Sequence, residues 1–302
     1  MIPVTVITGF LGAGKSTLLQ HWLSEFPKSD TAVIVNERGD IGIDGELLAA
    51  HVSRLREITG GCVCCRSQVE LIAALEDLSQ TADPPRRILI ETSGAASPAG
   101  VVRAVNRSNH RLRLDGVVTV LDASRLETVL SHALAVEQLA FADVTVLTHT
   151  DRSTDTQISA ATDAVEQLAP AAVVVPSSKA QPAEPLLGLL EKRTEALRLP
   201  ETSTHAAIEA VALQAEGVLD DERFGVWVET ALGRIESRIF RIKGILAMAG
   251  VAHRVIMQGV GESVEVTLGA PWGETAPTSR LVILGLGLDT TELESGFESC
   301  RA

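Results

Sequence analysis

Short runs of β-branched and aliphatic residues recur at regular intervals through the first 176 residues: Val4 to Thr8, Ala32 to Asn36, Ile88 to Glu91, Gly116 to Leu121, Val144 to Thr148 and Ala172 to Val175. Runs this short and this uniformly apolar predict strands buried on both faces. Between them the apolar positions fall at helical spacing, in Ser16 to Phe26, Gln68 to Gln80, Glu127 to Ala140 and Thr156 to Leu168. Strand and helix therefore alternate as in a doubly wound, mostly parallel α/β sheet, a fold that binds ligands at the carboxyl ends of its strands.

After a helix-like stretch, Leu186 to Leu197, the segment Leu199-Pro200-Glu201-Thr202-Ser203-Thr204-His205 loses all apolar periodicity and reads as a linker. Beyond it the pattern changes. A strand (Ile208 to Leu213) and a helix (Glu222 to Leu232) precede strand-like runs at Ile239 to Ile245, Arg254 to Val260, Val264 to Leu268 and Leu281 to Leu284, with a last helix from about Thr290. Consecutive strands closed by a helix predict a smaller α+β domain. The expected division is a nucleotide domain over 1–198 and a second domain over 206–302.

The turn after the first strand carries specific chemistry. Residues Gly9-Phe10-Leu11-Gly12-Ala13-Gly14-Lys15-Ser16-Thr17 match the P-loop pattern in the context it requires, after a strand and opening a helix. Gly9, Gly12 and Gly14 permit the tight turn, and the loop through Ala13 to Thr17 would cradle a nucleotide. Lys15 would neutralise β and γ phosphates, and Ser16 would help to hold Mg²⁺. The strand Arg87 to Glu91 runs into Thr92-Ser93-Gly94, where Glu91 is the candidate acid for the Mg²⁺ shell and Gly94 a candidate N–H donor to a γ phosphate. At another strand end, Thr148-His149-Thr150-Asp151 offers a carboxylate able to accept from guanine N1 and its exocyclic amine, so GTP and GDP are expected over ATP. The alternative for Asp151 is a cap for the next helix.

Composition narrows the setting. The chain has 302 residues, a formal charge of −13 and 45% hydrophobic residues, with no tyrosine. Such acidity disfavours nucleic acid and anionic membranes as partners. No apolar stretch approaches a membrane span and the first residues lack a targeting pattern, so the cytoplasm is the expected location. Three of the four cysteines stand together in Gly61-Cys62-Val63-Cys64-Cys65. Three such thiolates suit Zn²⁺, Cu⁺ or another thiophilic ion, with Glu37 or Asp40 as a further ligand; a redox-active set or plain packing are the other readings. Cys300 is expected to be inert.

The P-loop GFLGAGKST, the loop NERGDIGID, the cluster GGCVCC, the strand end ETSG and the stretch FADVTVLTHTD together resemble the CobW-type P-loop GTPases. The second domain shares the likeness in RIKGIL, QGV, PWG and the closing RLVILG. The resemblance implies a slow GTPase that binds a transition metal at Cys62, Cys64 and Cys65 and couples metal loading to nucleotide state. A client metalloprotein or a metal-cofactor assembly enzyme would receive the metal, with a homo-oligomer also allowed. Arg38 stands where the family usually has phenylalanine, Asp40 where it often has glutamate, and His149 where the guanine motif has lysine. The histidine-rich tract of many members is absent near the linker, which holds only His205. Outside this family, a P-loop ATPase, a small-molecule kinase or a redox-controlled interaction module are the competing readings.

Overall fold

The computed structural model describes residues 1–36, 54–58, 65–170, 172–179, 181–186, 188, 190, 204–205, 208–235, 239–260 and 263–302, with the backbone alone for Asn36, Glu57, Cys65 to Ser67, Thr204, His205, Ile208, Ile235, Val260 and Ser263. Two compact units emerge: Met1–Val165 with Val173–Glu191, and Lys192–Ala302 with Glu166–Ala172.

The first unit is built on an eight-stranded sheet. Its strands are β1 (Ile2–Thr8), β2 (Thr31–Asn36), β3 (Arg54–Ile58), β4 (Arg87–Thr92), β5 (Leu112–Asp122), β6 (Val144–Thr148), β7 (Val173–Ser178) and β8 (Gln181–Pro182). They lie in the order β3-β2-β4-β1-β5-β6-β7-β8. Every pair is parallel except β7 with β8. This is the doubly wound α/β sheet expected from the alternating pattern, and its strand order reverses around β1, where such folds open a crevice.

Helix α1 (Lys15–Leu23) follows β1, and its Leu18, Leu19, Trp22 and Leu23 recur at helical spacing and are buried. They pack with Val33, Leu89, Val118 and Val146 in one core cluster. Burying each such side chain contributes roughly 1.5–3 kcal/mol before chain entropy is set against it. The other helices are α2 (Cys65–Gln80), α3 (Pro98–Arg107), α4 (Leu126–Leu130), α5 (Ala133–Ala140) and α6 (Asp155–Leu168).

Three features depart from the periodicity. The stretch Glu127 to Ala140, read as one helix, is broken into α4 and α5 at Ser131 and His132. Strand β3 is absent from the apolar pattern because Arg54, Arg56 and Glu57 interrupt it; among the described residues it is an edge strand paired with β2. Helix α3 begins with Pro98 and contains Gly100, residues that read as breakers, yet the Ser97 side chain caps it by accepting from Ala99 N, and proline is at home in a first turn.

The second unit holds an antiparallel sheet of β9 (Thr204–His205), β10 (Ile208–Glu216), β11 (Ile239–Leu246), β12 (His253–Val260), β13 (Ser263–Pro271) and β14 (Thr278–Gly285), in the order β13-β12-β11-β14-β10-β9. Helices α7 (Asp221–Trp227) and α9 (Thr290–Glu298) are capped by Asp220 and Asp289. Between them α7 runs through a π turn at Val228–Leu232 into the short α8 (Gly233–Ile235), so the helical stretch expected over Glu222 to Leu232 is not uniform. Phe224, Trp227 and Phe297 form an aromatic cluster with ring centroids 5.4 to 6.3 Å apart, over a core that includes Val211, Met257 and Leu281.

Candidate functional site at the carboxyl edge of the parallel sheet

The loop from Gly9 to Gly14 is shaped by close backbone approach. Gly9 has φ of 140°, and a β-carbon there would lie 2.3 Å from Val120 O, so the loop passes over β5 with room only for glycine. Gly12 and Gly14 have φ of 76° and 94°, left-handed values that side chains strain to reach. The turn closes through Ala13 N donating to Phe10 O at 3.2 Å, and Leu18 N donating to Gly14 O at 3.0 Å begins the helix. Gly14 provides no side-chain cap to α1 and its first turn holds no acid, which leaves the helix-end N–H groups for an anion.

Lys15 is buried to 8% exposure and its Nζ donates to Gly9 O at 2.9 Å and Phe10 O at 3.3 Å, curling the ammonium over the loop. Ser16 Oγ donates to Glu91 Oε1 at 2.8 Å. Glu91, 6% exposed, is the penultimate residue of the central strand β4, and Thr92, which ends it, donates from Oγ1 to Thr8 Oγ1 at 3.0 Å. A hydroxyl and a carboxylate so placed are hard oxygen ligands of the kind Mg²⁺ takes.

Gly94 lies directly against the P-loop, where a β-carbon would come within 2.8 Å of Leu11 N. The segment is fixed from the other side by Gln138 of α5, fully buried, whose Nε2 donates to Gly94 O at 3.3 Å and Ala96 O at 3.0 Å. Sequence reading did not single out Gln138. Its signal is a lone amide inside the apolar stripe of Ala133 to Ala140. Ser97 Oγ also donates to Glu137 Oε1 at 2.5 Å, a second tie between this segment and α5.

At the end of β6, Thr148 is buried and its Oγ1 donates to Ala13 O at 2.7 Å and Leu121 O at 3.3 Å, joining β6, β5 and the P-loop. His149 follows at φ 57°, ψ 27°. Its Nδ1 lies 3.3 Å from Asp122 Oδ1. Asp151 sits in a 3₁₀ turn, Thr150–Arg152, with 29% of its side chain exposed and Arg152 Nε 4.0 Å away. It does not cap α6. That task falls to Thr154 and Gln157, joined by Thr154 N donating to Gln157 Oε1 at 2.9 Å and Gln157 N donating to Thr154 Oγ1 at 3.3 Å. Thr150 Oγ1 donates to Ser177 O at 2.8 Å, which brings the end of β7, with Lys179 at φ 51°, against the same loop. Lys179 too was not marked by the sequence pattern.

Gly12, Ala13, Gly14, Lys15, Ser16, Thr17, Glu91, Gly94, His149 and Asp151 thus all lie at one edge of the sheet, in the P-loop and the first turn of α1, near the end of β4, and in the segments that follow β4 and β6. Glu37, Asp40, Cys62 and Cys64 lie outside the described residues, and of Cys65 the backbone is given as the first residue of α2. Among the described residues no cluster of histidine, cysteine or acidic side chains could hold a metal, and no helix among them is long and apolar enough to cross a membrane.

Residues 3–176 match the CobW/HypB/UreG nucleotide-binding domain, and residues 208–301 the C-terminal domain of the cobalamin synthesis protein CobW. The chain is 31% identical to the zinc chaperone CobW of Pseudomonas aeruginosa over 347 residues, covering 100% of this chain and 92% of that protein. It is 29% identical to the zinc chaperone YjiA of Escherichia coli over 320 residues, 99% of each. Among solved structures, the Zn(II)-bound YjiA GTPase from E. coli superposes with a TM-score of 0.73 at 24% identity, over 100% of this chain and 99% of that one, a likeness of fold. With both domain patterns present in order, and the P-loop built as the nucleotide-binding pattern requires, the chain belongs to the CobW/HypB/UreG family of P-loop nucleotide-binding proteins and carries the CobW C-terminal domain.

Proposed function

We propose that this GTPase couples its nucleotide state to binding of a transition metal, zinc before cobalt, and to delivery of that metal to a client metalloprotein or cofactor-assembly enzyme. The observation that carries the reading is the shared carboxyl edge of the sheet. Asn36 ends β2, Ile58 ends β3 and Glu91 stands near the end of β4, all on strands parallel to β1 and its P-loop. The candidate ligands Glu37 and Asp40 follow the first of these in sequence, and Cys62, Cys64 and Cys65 follow the second. A γ phosphate and a metal would then bias the same set of loops, and linkage makes each tighten or loosen the other. Zinc enters from the names of the relatives in P. aeruginosa and E. coli.

In this reading Gly12 to Thr17 cradle the phosphates, Lys15 neutralises the charge that develops in hydrolysis, and Gly94 donates its N–H toward the γ phosphate. The buried pair of Ser16 and Glu91 fits Mg²⁺, which would supply charge neutralisation at the β and γ oxygens. Asp151 reads guanine, with His149 and the β7 end around it. The domain limits remain 1–198 and 206–302, the second serving for client docking. A reduced thiol cluster suits the cytoplasm.

The test is a competition measurement of Zn²⁺ and Co²⁺ affinity for the wild type and for a Cys62→Ser, Cys64→Ser, Cys65→Ser variant, each with GDP and with a non-hydrolysable GTP analogue. Zinc affinity should differ between the nucleotide states in the wild type and collapse in the variant. Equal affinity in both states would sink the coupling, and an unaffected variant would sink the thiol site. Tighter binding of adenine than of guanine nucleotides would favour the ATPase or kinase alternative.

A further inference from the structure

The lysine missing from the guanine motif leaves a gap that another residue is placed to fill. Strand β5 neighbours β1 in parallel, so its carboxyl end emerges beside the P-loop. There Asp122 ends the strand and fixes a 3₁₀ turn, Ala123–Arg125, by accepting from Ser124 N at 2.9 Å and Ser124 Oγ at 2.6 Å. The last residue of that turn, Arg125, directs its guanidinium to the loop: a β-carbon built on Gly12 would stand 3.9 Å from Arg125 Nη1. The turn also packs against Thr150–Arg152, which carries Asp151. The turn that ends in Arg125 therefore touches both the phosphate loop and the turn that carries Asp151.

Its charge is uncommitted. Arg125 is exposed, and none of the described carboxylates pairs with it, in a chain of 39 acidic residues. His149, by contrast, turns Nδ1 toward Asp122 at 3.3 Å. A guanidinium presents a rigid fork of N–H donors matched to phosphate oxygens, and it is charged throughout the working pH range.

We propose that Arg125 is a nucleotide-binding residue, which grips the phosphate chain of the bound nucleoside diphosphate or triphosphate and supplies the cation that position 149 lacks. This rests on the reading of the loop as a GTP site. Because the contact is made beside Gly12, where P-loop amides cradle the inner phosphates, it strengthens GDP and GTP alike.

The experiment is a fluorescence titration of full-length protein with labelled GDP and a labelled non-hydrolysable GTP analogue. The proteins are wild type, Arg125→Ala, Arg125→Lys, His149→Lys and the double variant Arg125→Ala with His149→Lys, at low and moderate salt. Arg125→Ala should weaken both nucleotides by about tenfold, as loss of a charge-assisted contact does, and flatten the salt dependence. Arg125→Lys should keep part of the affinity. His149→Lys should recover most of the loss in the Arg125→Ala background and add little to the wild type. Circular dichroism of each variant checks the fold, and Arg125→Lys gives the answer should alanine disturb it. Arg125→Ala and Arg125→Lys both binding within twofold of wild type would overturn the assignment, as would an equal gain from His149→Lys in both backgrounds. If the wild type instead prefers adenine nucleotides, the guanine reading fails on its own, and the same titration with ADP still decides the role of Arg125.

Discussion

Ser16 and Glu91, 75 residues apart in sequence, meet in a 2.8 Å hydrogen bond from the serine hydroxyl to Glu91 Oε1, and the carboxylate is 94% removed from solvent by its place near the end of a central strand. The pair links the first turn of α1 to β4. A buried carboxylate next to a triphosphate is costly unless a cation neutralises it, so the pair should be satisfied when Mg²⁺ is bound. Glu91→Gln keeps the shape and removes the charge. Hydrolysis of GTP should fall by about a hundredfold, the scale of losing an electrostatic contact to the reacting phosphate. The Mg²⁺ dependence of nucleotide affinity should flatten with it. Phosphate release at saturating GTP, with affinity measured with and without Mg²⁺, checks both effects; a variant with wild-type turnover would remove Glu91 from the machinery.

Two glycines set how closely the P-loop is held. At Gly9 a β-carbon would sit 2.3 Å from Val120 O, and at Gly94 one would sit 2.8 Å from Leu11 N and 2.9 Å from Leu11 Cα. In both cases the obstacle is backbone, which cannot swing aside as a side chain can. Gly9→Ala should cost about 1–3 kcal/mol of stability through overpacking and strain at a positive φ, and should weaken nucleotide binding as well. Gly94→Ala pushes directly on the loop and should weaken binding more than it lowers the melting temperature. Thermal unfolding measured beside GDP titration separates the two: a neutral Gly94→Ala would mean that the approach of β4's turn to the loop is not needed.

Gln138 anchors two carbonyls of the segment after β4, those of Gly94 and Ala96, and it is completely buried. Gln138→Leu retains the volume and deletes the donor. Two buried carbonyls lose a partner, at about 1–3 kcal/mol for the site. The segment that would bear the γ-phosphate N–H should then lose its position. The expected result is a lower melting temperature together with slower hydrolysis, while GDP affinity, which does not use that segment, stays close to wild type. A fall in GDP affinity as large as the fall in hydrolysis would show that Gln138 supports the fold alone.

The parts of this site that were legible in the sequence are those where one residue type is forced by local geometry or chemistry. Gly9, Gly12 and Gly14 are required by close approach and left-handed backbone, and Lys15 and Ser16 by their spacing from them. The central strands were legible because burial on both faces leaves an unbroken apolar run, as in Ile88 to Ile90. What escaped was set by tertiary contacts. Among the described residues strand β3 pairs on one side, with β2, and it tolerates Arg54 and Arg56. Gln138, Thr148 and Arg125 matter for what they reach across the fold, at separations of 42, 135 and more than a hundred residues, which no local pattern encodes. Helix α3 was missed for a different reason: Pro98 and Gly100 outweigh the Ser97 cap unless the cap is recognised as a start signal.

Cys300 closes the core of the second unit. It is 1% exposed among Leu219, Trp227 and Phe297, and its Sγ donates to Gly296 O at 3.3 Å. Burial pushes its thiol above the usual value of 9.0, ahead of the opposing effects of Ser299 and Arg223. A raised folded-state value means that the native state holds the proton longer than the unfolded chain does. The resulting stability is fully present below the unfolded value and is lost as pH rises through it toward the folded one. Unfolding by urea should therefore show a decline above about pH 9 that Cys300→Ala reduces, although the smaller side chain costs some stability at every pH. In the variant lacking Cys62, Cys64 and Cys65, a thiol reagent should react slowly at neutral pH and stoichiometrically in denaturant. Rapid labelling of that variant in native buffer would contradict the buried, protonated thiol and reopen Cys300 as a redox partner.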